Sequence, residues 1–455
     1  MQRDAQGLPI AAASAEAAIA FDAATASYLA YRADTMPRVE AALAADPECG
    51  MAHCLKGALL MLGFKQALLP QAAAAAAEAR RLMAAGASAR EHRHVDALDA
   101  WIGGDTDGAV AIWETILAAH PRDVIAFRLA HFATFWTGQP DAMLASVLRV
   151  APHWNTAIPG HGAVLGSLCF ALEECGHYTE AEAAGRRAIE ADPTNLWAAH
   201  GVAHVMEMQG RRREGLAWIA ALEGGWQHAN NLRHHLWWHA AMFHLELGDV
   251  PAVLHLYDSG FRDLGAPLVA AAPDLYIDVQ NAASMLFRLQ LHGVDVGDRW
   301  EELGALAETR IGDCLSAFTL PHWMMALAAT GRDAAAGRLL TAMRDYARAP
   351  GTAPALVGRY ALPACEAVLA LAHGRPEQAV AAMRPALGGM YRLGGSHAQQ
   401  DVLEQLALHA AMRAGLDDDV RLMLERSAGR HPVPPHHRAG YRAAARQNDR
   451  WNLPA

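Results

Sequence analysis

Glycines recur along this chain at an interval that confines it to one kind of fold. Gly104 and Gly138 lie 34 residues apart, as do Gly176 and Gly210, while Gly138 to Gly176 and Gly210 to Gly248 are 38 residues each. A 34-residue period is the length of a tetratricopeptide repeat, a helix-turn-helix unit that buries its apolar face only by stacking on copies of itself.

The stretch from about His161 to Asn195 shows the repeat most clearly. Gly176 lets two antiparallel helices turn tightly, Tyr178 and Ala181 supply a large and a small residue where helices cross, and Pro193 stops the second helix. Gly104, Ala109 and Pro121 repeat the pattern, and Asp46-Pro47 closes an earlier unit before Met51-Ala52-His53. Beyond Gly248 the period loosens: Gly331, Gly374 and Gly415 precede further helices at spacings of 43 and 41. Ser259 to Pro273 reads as a longer loop, Pro432 to His437 as another, and a short helix near Arg438 to Arg446 as a cap. Strand-like alternation long enough for a sheet is absent. The expected class is all-α: a tetratricopeptide-repeat-like α-solenoid, a right-handed superhelix of helical hairpins. One domain spans 1–455, with regular repeats over about 20–250, irregular hairpins over 251–430 and a cap over 431–455.

With 53% hydrophobic and 19% charged residues, the chain has material for a continuous core, so its length does not demand several domains. A formal charge of -10 and no basic run argue against nucleic acid as partner. Cys49, Cys54, Cys169, Cys175, Cys314 and Cys365 form no C-x-x-C pair and read as buried small hydrophobes, which makes the reducing cytoplasm the expected location. Glu16 and Asp22 interrupt the apolar N-terminus, which is a poor signal peptide, and no run of 18 uncharged apolar residues predicts a membrane span.

The chain holds 24 histidines, for which chance alone places about one pair at i, i+4. It has His200/His204 and His235/His239, so spacing by itself says little, and the repeat register says more. With the turn glycine at the fifteenth position of each unit, the second, fifth, ninth and twelfth positions of the first helix face the hollow of the superhelix. Before Gly210 these are Trp197, His200, His204 and Glu207, all on one helix face. Before Gly248 the second and fifth are His235 and Trp238, with His239 beside them; before Gly104 they are Glu91 and His94. Glu173, Gln405 and His409 fall on the same face, whereas His131 and His322 lie one position off it. The expectation is a water-filled groove lined by imidazoles, carboxylates and tryptophans.

Two imidazoles one turn apart with a carboxylate on the next turn can bind a divalent transition metal, and His235/His239 could complete the shell; the metal candidates are His200, His204, Glu207, His235 and His239. The same groups could instead bind a polar ligand or act as general acid and base, with His204, Glu207 and His239 as catalytic candidates. Packed histidines satisfied by neighbours are the plain structural alternative. H-E-x-x-H, nucleophile-elbow and P-loop motifs are all absent. Ser396 and Gln399 make a capping box in Gly394-Gly395-Ser396-His397-Ala398-Gln399-Gln400-Asp401, with Asp401 or His397 placed to touch the groove. Arg211-Arg212-Arg213 reads as solvated surface, and Met324-Met325 as core filler.

Several segments go beyond a generic repeat: His200-Gly201-Val202-Ala203-His204-Val205-Met206-Glu207-Met208, His235-Leu236-Trp237-Trp238-His239, Met285-Leu286-Phe287-Arg288-Leu289, Gly293 to Trp300, and the Gly394 to Asp401 loop. In these the chain resembles the tetratricopeptide repeat protein 38 family over nearly its whole length. The resemblance implies a repeat architecture and a binding scaffold, and brings no activity or cofactor with it. The leading expectation is a solenoid that binds a small molecule or peptide through His94, Trp197, His200, His204, Glu207, His235, Trp238, His239 and Asp401. The alternatives are a metal-dependent or His/Glu acid-base hydrolase or lyase in the same groove, and a protein-protein scaffold.

Overall fold

A computed structural model describes residues 2–83 and 86–448. The chain divides into two compact units. The first comprises Met1–Val202, Leu222–Arg233 and Pro350–Ala353; the second comprises Ala203–Ala221, His234–Ala349 and Pro354–Ala455.

The helices leading through the first unit are α1 (Ala15–Leu29), α2 (Thr35–Ala45), α3 (Gly50–Met61), α4 (Leu69–Met83), α5 (Ala89–Ile102), α6 (Thr106–Ala119), α7 (Val124–Trp136), α8 (Pro140–Val150), α9 (His161–Glu174), α10 (Tyr178–Ala191) and α11 (Leu196–Met208), the last running on past Val202. Then come α12 (Arg212–Leu222), α13 (Leu232–Leu247), α14 (Val250–Leu256), α15 (Pro267–Ala271), α16 (Tyr276–Leu291), α17 (Arg299–Thr309), α18 (Thr319–Ala329), α19 (Asp333–Tyr346), α20 (Thr352–Leu356), α21 (Leu362–Ala372), α22 (Pro376–Met383), α23 (His397–Ala414), α24 (Asp417–Arg430) and α25 (Arg442–Gln447). Packing runs mainly between helices consecutive in the chain, the pattern of a helical-repeat solenoid. The all-α class is as expected. Among the described residues its exception is a hairpin of two-residue strands, β1 (Gln2–Arg3) and β2 (Pro9–Ile10), too short for any alternation of apolar and polar residues to show.

The turns follow the sequence closely. Gly104, Gly138, Gly176, Gly210 and Gly248 have φ of 84, 62, 81, 71 and 80°, and Gly331, Gly374 and Gly415 are left-handed as well. That region favours glycine, so one residue type closes hairpin after hairpin. The best-defined repeat is α9, a turn at Gly176, α10, and a stop at Asp192-Pro193. Where α9, α10 and α11 meet, Gly185 permits close approach: a Cβ there would lie 2.4 Å from Val202 Cγ2 and 2.8 Å from Cys169 Sγ.

The first unit is tied at its edges by carboxylates and one guanidinium. Glu91 caps α5 and accepts the amide of Ala11, Asp46 accepts that of Ala13, and Arg90 donates to the carbonyl of Pro9 at 2.6 Å. The segment Leu222–Arg233 joins this unit through Asn230 N–H to Tyr31 O and Ala33 N–H to His228 O.

In the second unit the expected loop Ser259 to Pro273 is partly helical, with a π-turn at Tyr257–Phe261 followed by α15. Pro435–His437 forms a 3-10 turn, the cap helix begins at Arg442, and the last seven residues of the expected cap lie outside the described residues. All six cysteines are free thiols, five of them buried. One helical run, Thr352–Ala372, reaches membrane-span length at mean hydropathy 1.4, with 56% of it buried inside the protein; it carries Arg359 and Glu366.

Candidate functional site

Three imidazoles converge in the second unit. His204 comes from α11, and His235 and His239 from consecutive turns of one face of α13. A ring nitrogen of each lies within 4.8 Å of the others. The ring centres of His204 and His239 are 4.4 Å apart, and those of His235 and His239 are 4.8 Å apart. The 3.6-residue period that puts His235 and His239 on one side of α13 is the pattern visible in the sequence.

Two of the rings are oriented by acceptor oxygens. His239 Nδ1 lies 2.6 Å from Glu207 Oε2, and His235 Nδ1 lies 2.7 Å from Asn281 Oδ1 on α16. An oxygen acceptor holds the proton on Nδ1, which leaves Nε2 as the lone-pair nitrogen of each neutral ring. His235 also stacks on Trp238, with centroids 5.1 Å apart at 10°. Asn281 was not foreseen; nothing in its local sequence marks it, and only the packing of α16 beside α13 brings it there.

The expected water-filled hollow is corrected here. His204 and His239 are 0% exposed and His235 is 2% exposed, because α16 covers α13 where a groove was expected. Burial, then the neighbouring His239, His235 and His397, lowers the His204 pKa well below the ordinary 6.5. Burial and His239 push His235 down to about 3 against the hydrogen bond to Asn281.

Glu207 reaches from this cluster into a polar cleft within the same unit, lined also by His397, Asp401, Arg430, Arg438 and Tyr441. Asp401 accepts from Arg438 Nη2 and from the Tyr441 hydroxyl, both at 2.6 Å. Burial alone would raise its carboxyl, but Arg438, Arg288 and the Tyr441 hydrogen bond outweigh it and hold Asp401 well below the usual carboxylate range. Arg212, on the cleft wall, is not the solvated cation expected: its Nη2 donates to Glu246 at 2.8 Å and to the His437 carbonyl at 2.9 Å. Ser396 and Gln399 form the expected capping box at the start of α23, which presents His397 and Asp401 on its first turns.

His94 is a correction: it is 1% exposed, and its Nε2 meets Asp123 Oδ2 at 2.9 Å beside Arg90, because that carboxylate caps α7 and draws both side chains inward. Trp197 and His200 belong to the first unit, where His200 stacks on Phe170 at 5.4 Å and Trp197 on Tyr31 at 5.5 Å. His322 Nδ1 donates to the Phe318 carbonyl at 2.9 Å, since a carbonyl only accepts.

No family model matches the chain. It is similar to a solved structure described as "Structure of Naa15/Naa10 bound to HypK-THB", at 13% identity and a TM-score of 0.24, over 96% of this chain and 66% of that one. The chain thus spans just under two thirds of the length of that relative, and a likeness this faint carries no functional argument.

Proposed function

We propose that the second unit binds a divalent transition metal at His204, His235 and His239, and a small polar ligand in the cleft beside it. The observation that carries this is the convergence of three imidazole nitrogens from two helices, two of them held in the ligating tautomer by Glu207 and Asn281. Metal–nitrogen bonds of about 2.0–2.1 Å put tetrahedral ligands about 3.3 Å apart, within the limit found here, and metal-ligating histidines characteristically donate their other ring nitrogen to a carboxylate or amide oxygen. Arg288, in one of the segments that carry the resemblance to the tetratricopeptide repeat protein 38 family, donates to the carbonyl of Ala398, in another, at 2.8 Å.

A metal held by these three imidazoles alone would keep a fourth position for water or substrate, the arrangement of catalytic rather than structural zinc. Glu207 lies both on His239 and in the cleft wall. That supports a second reading, metal-assisted hydrolysis of the cleft ligand.

Elemental analysis of untagged, chelator-free protein tests the metal directly, beside His204→Ala and His239→Ala variants whose folding is checked by circular dichroism. Near-stoichiometric zinc, manganese, iron or nickel that falls below a tenth in either folded variant is the expected result. A metal-free wild type that stays so after reconstitution overturns it.

A further inference from the structure

A cleft of ≈ 210 Å³ opens within the first unit, between one face of α1 and the start of α9. From α1 it is lined by Asp22, Thr25, Ala26 and Leu29, whose spacing makes them one stripe along the helix. From the start of α9 it is lined by Gly160 and Gly162. The two walls meet where a Cβ on Gly160 would lie 3.5 Å from Leu29 Cδ1.

Most polar groups of this wall are spent on the protein itself. Gln6 Nε2 donates to the Pro159 carbonyl at 2.9 Å, Asn195 Nδ2 donates to that of Gly162 at 3.0 Å, and the exposed Asp192 accepts from Thr194. Three groups are left over. Thr25 is 3% exposed, and its hydroxyl, closed to solvent, meets no hydrogen-bond partner among the described residues. No side chain caps α9, and while the amides of His161, Ala163 and Val164 bond to the carbonyls of Ile158 and Gly160, that of Gly162 does not. Asp22 is half-buried and accepts one amide, that of Ala5, at 3.0 Å; burial raises its carboxyl above the ordinary 3.8 against this one bond. Among the described residues no lysine or arginine lines the cleft.

A buried hydroxyl without a partner is rare in a native protein and requires an explanation. A hydroxyl and a first-turn amide both donate, and the dipole of α9 adds positive potential at its start, so this corner of the cleft suits an anionic oxygen. The Asp22 carboxylate suits a cation. Thr25 follows Asp22 by three residues, which separates their Cβ atoms by about 5–6 Å. That is a fitting span for two partners of an ammonium and a carboxylate carried on one carbon. Beyond them the wall is apolar, with Ala26, Leu29, Ala30 and Pro159.

We propose that this cleft binds a free aliphatic α-amino acid, its ammonium on Asp22, its carboxylate on the Thr25 hydroxyl and the Gly162 amide, and its side chain along Leu29 and Pro159. The site shares no residue with the metal cluster and stands or falls alone.

L-leucine is the probe, titrated calorimetrically into the full-length protein, beside L-leucinamide, which lacks the carboxylate, and 4-methylpentanoate, which lacks the ammonium. Saturable leucine binding, at least about tenfold weaker for either analogue, is the expected result. Asp22→Asn keeps an acceptor for the Ala5 amide and should weaken leucine about tenfold or more, and Thr25→Val should weaken it about three- to tenfold. No saturation by about 10 mM leucine, or an analogue that binds as tightly, or unchanged affinity in either folded variant, overturns the site. Should D22N fail to fold, T25V and the two analogues on the unaltered protein decide the matter.

Discussion

Glu207 and His239 are joined by a 2.6 Å hydrogen bond across two helices, from Nδ1 of the ring to Oε2 of the carboxylate. The bond fixes which nitrogen His239 presents to His204 and His235. Replacing the carboxylate by the neutral Glu207→Gln should keep the ring in place yet weaken its basicity. Metal affinity, measured by competition with a chromogenic chelator, should fall about 10- to 100-fold. Unchanged affinity would mean that Glu207 orients nothing.

Acid should unfold the protein early. Burial pushes His322 down to about 4 and His431 to about 3, and lowers His131 well below 6.5. Each ring is neutral when folded and takes up a proton near 6.5 when unfolded, so between those values the unfolded chain binds more protons. Stability is therefore intact above about pH 7 and drops as pH falls below 6.5, by roughly 1.4 kcal/mol per pH unit for each ring. Urea midpoints of chelator-treated protein between pH 7.5 and 5.0 should decline steeply, and more shallowly in His322→Gln if that variant folds. A flat profile down to pH 5 would contradict the burial of these rings.

Gly185 should not tolerate a side chain. Alanine would drive its methyl into Val202 Cγ2 and Cys169 Sγ, at a cost of about 1–3 kcal/mol. Val202→Ala removes one of the two obstacles, so the double variant should recover part of the loss in thermal denaturation. Additive losses would show that α10 meets α11 differently.

Asp401 and Arg438 form a buried pair at 2.6 Å, with Tyr441 on the same carboxylate oxygen. Asp401→Asn leaves the guanidinium buried without its counter-charge, and should cost about 3–5 kcal/mol in urea unfolding. Tyr441→Phe removes one hydrogen bond and should cost about 1–2 kcal/mol. Equal losses would argue that the charge is better solvated than its burial implies.

The repeat architecture was legible because the turn glycines answer to a local rule: each closes a hairpin in a conformation other residues avoid. The three imidazoles were legible for the same reason, since helical phase is local too. What escaped were partners supplied by distant helices. Asn281 reaches His235 across 46 residues, and Arg438 reaches Asp401 across 37. His94 misled because the register predicts which way a side chain starts, whereas Asp123, 29 residues on, decides where it ends. The exposed groove failed as an expectation on the same account: α16 covers α13, and no periodicity within α13 announces it.

The left-handed glycines also bear on how such a chain can change its length. A residue gained inside a helix turns everything after it by about 100°, so one insertion between His204 and Glu207 would carry the carboxylate off the face it shares with the imidazole. The same residue gained in a turn, at Gly176 or Gly248, leaves the phase within each flanking helix unaltered. Length variation among natural relatives of this protein should therefore collect at the glycine turns, and the helix segments that bear the histidines should keep a constant count.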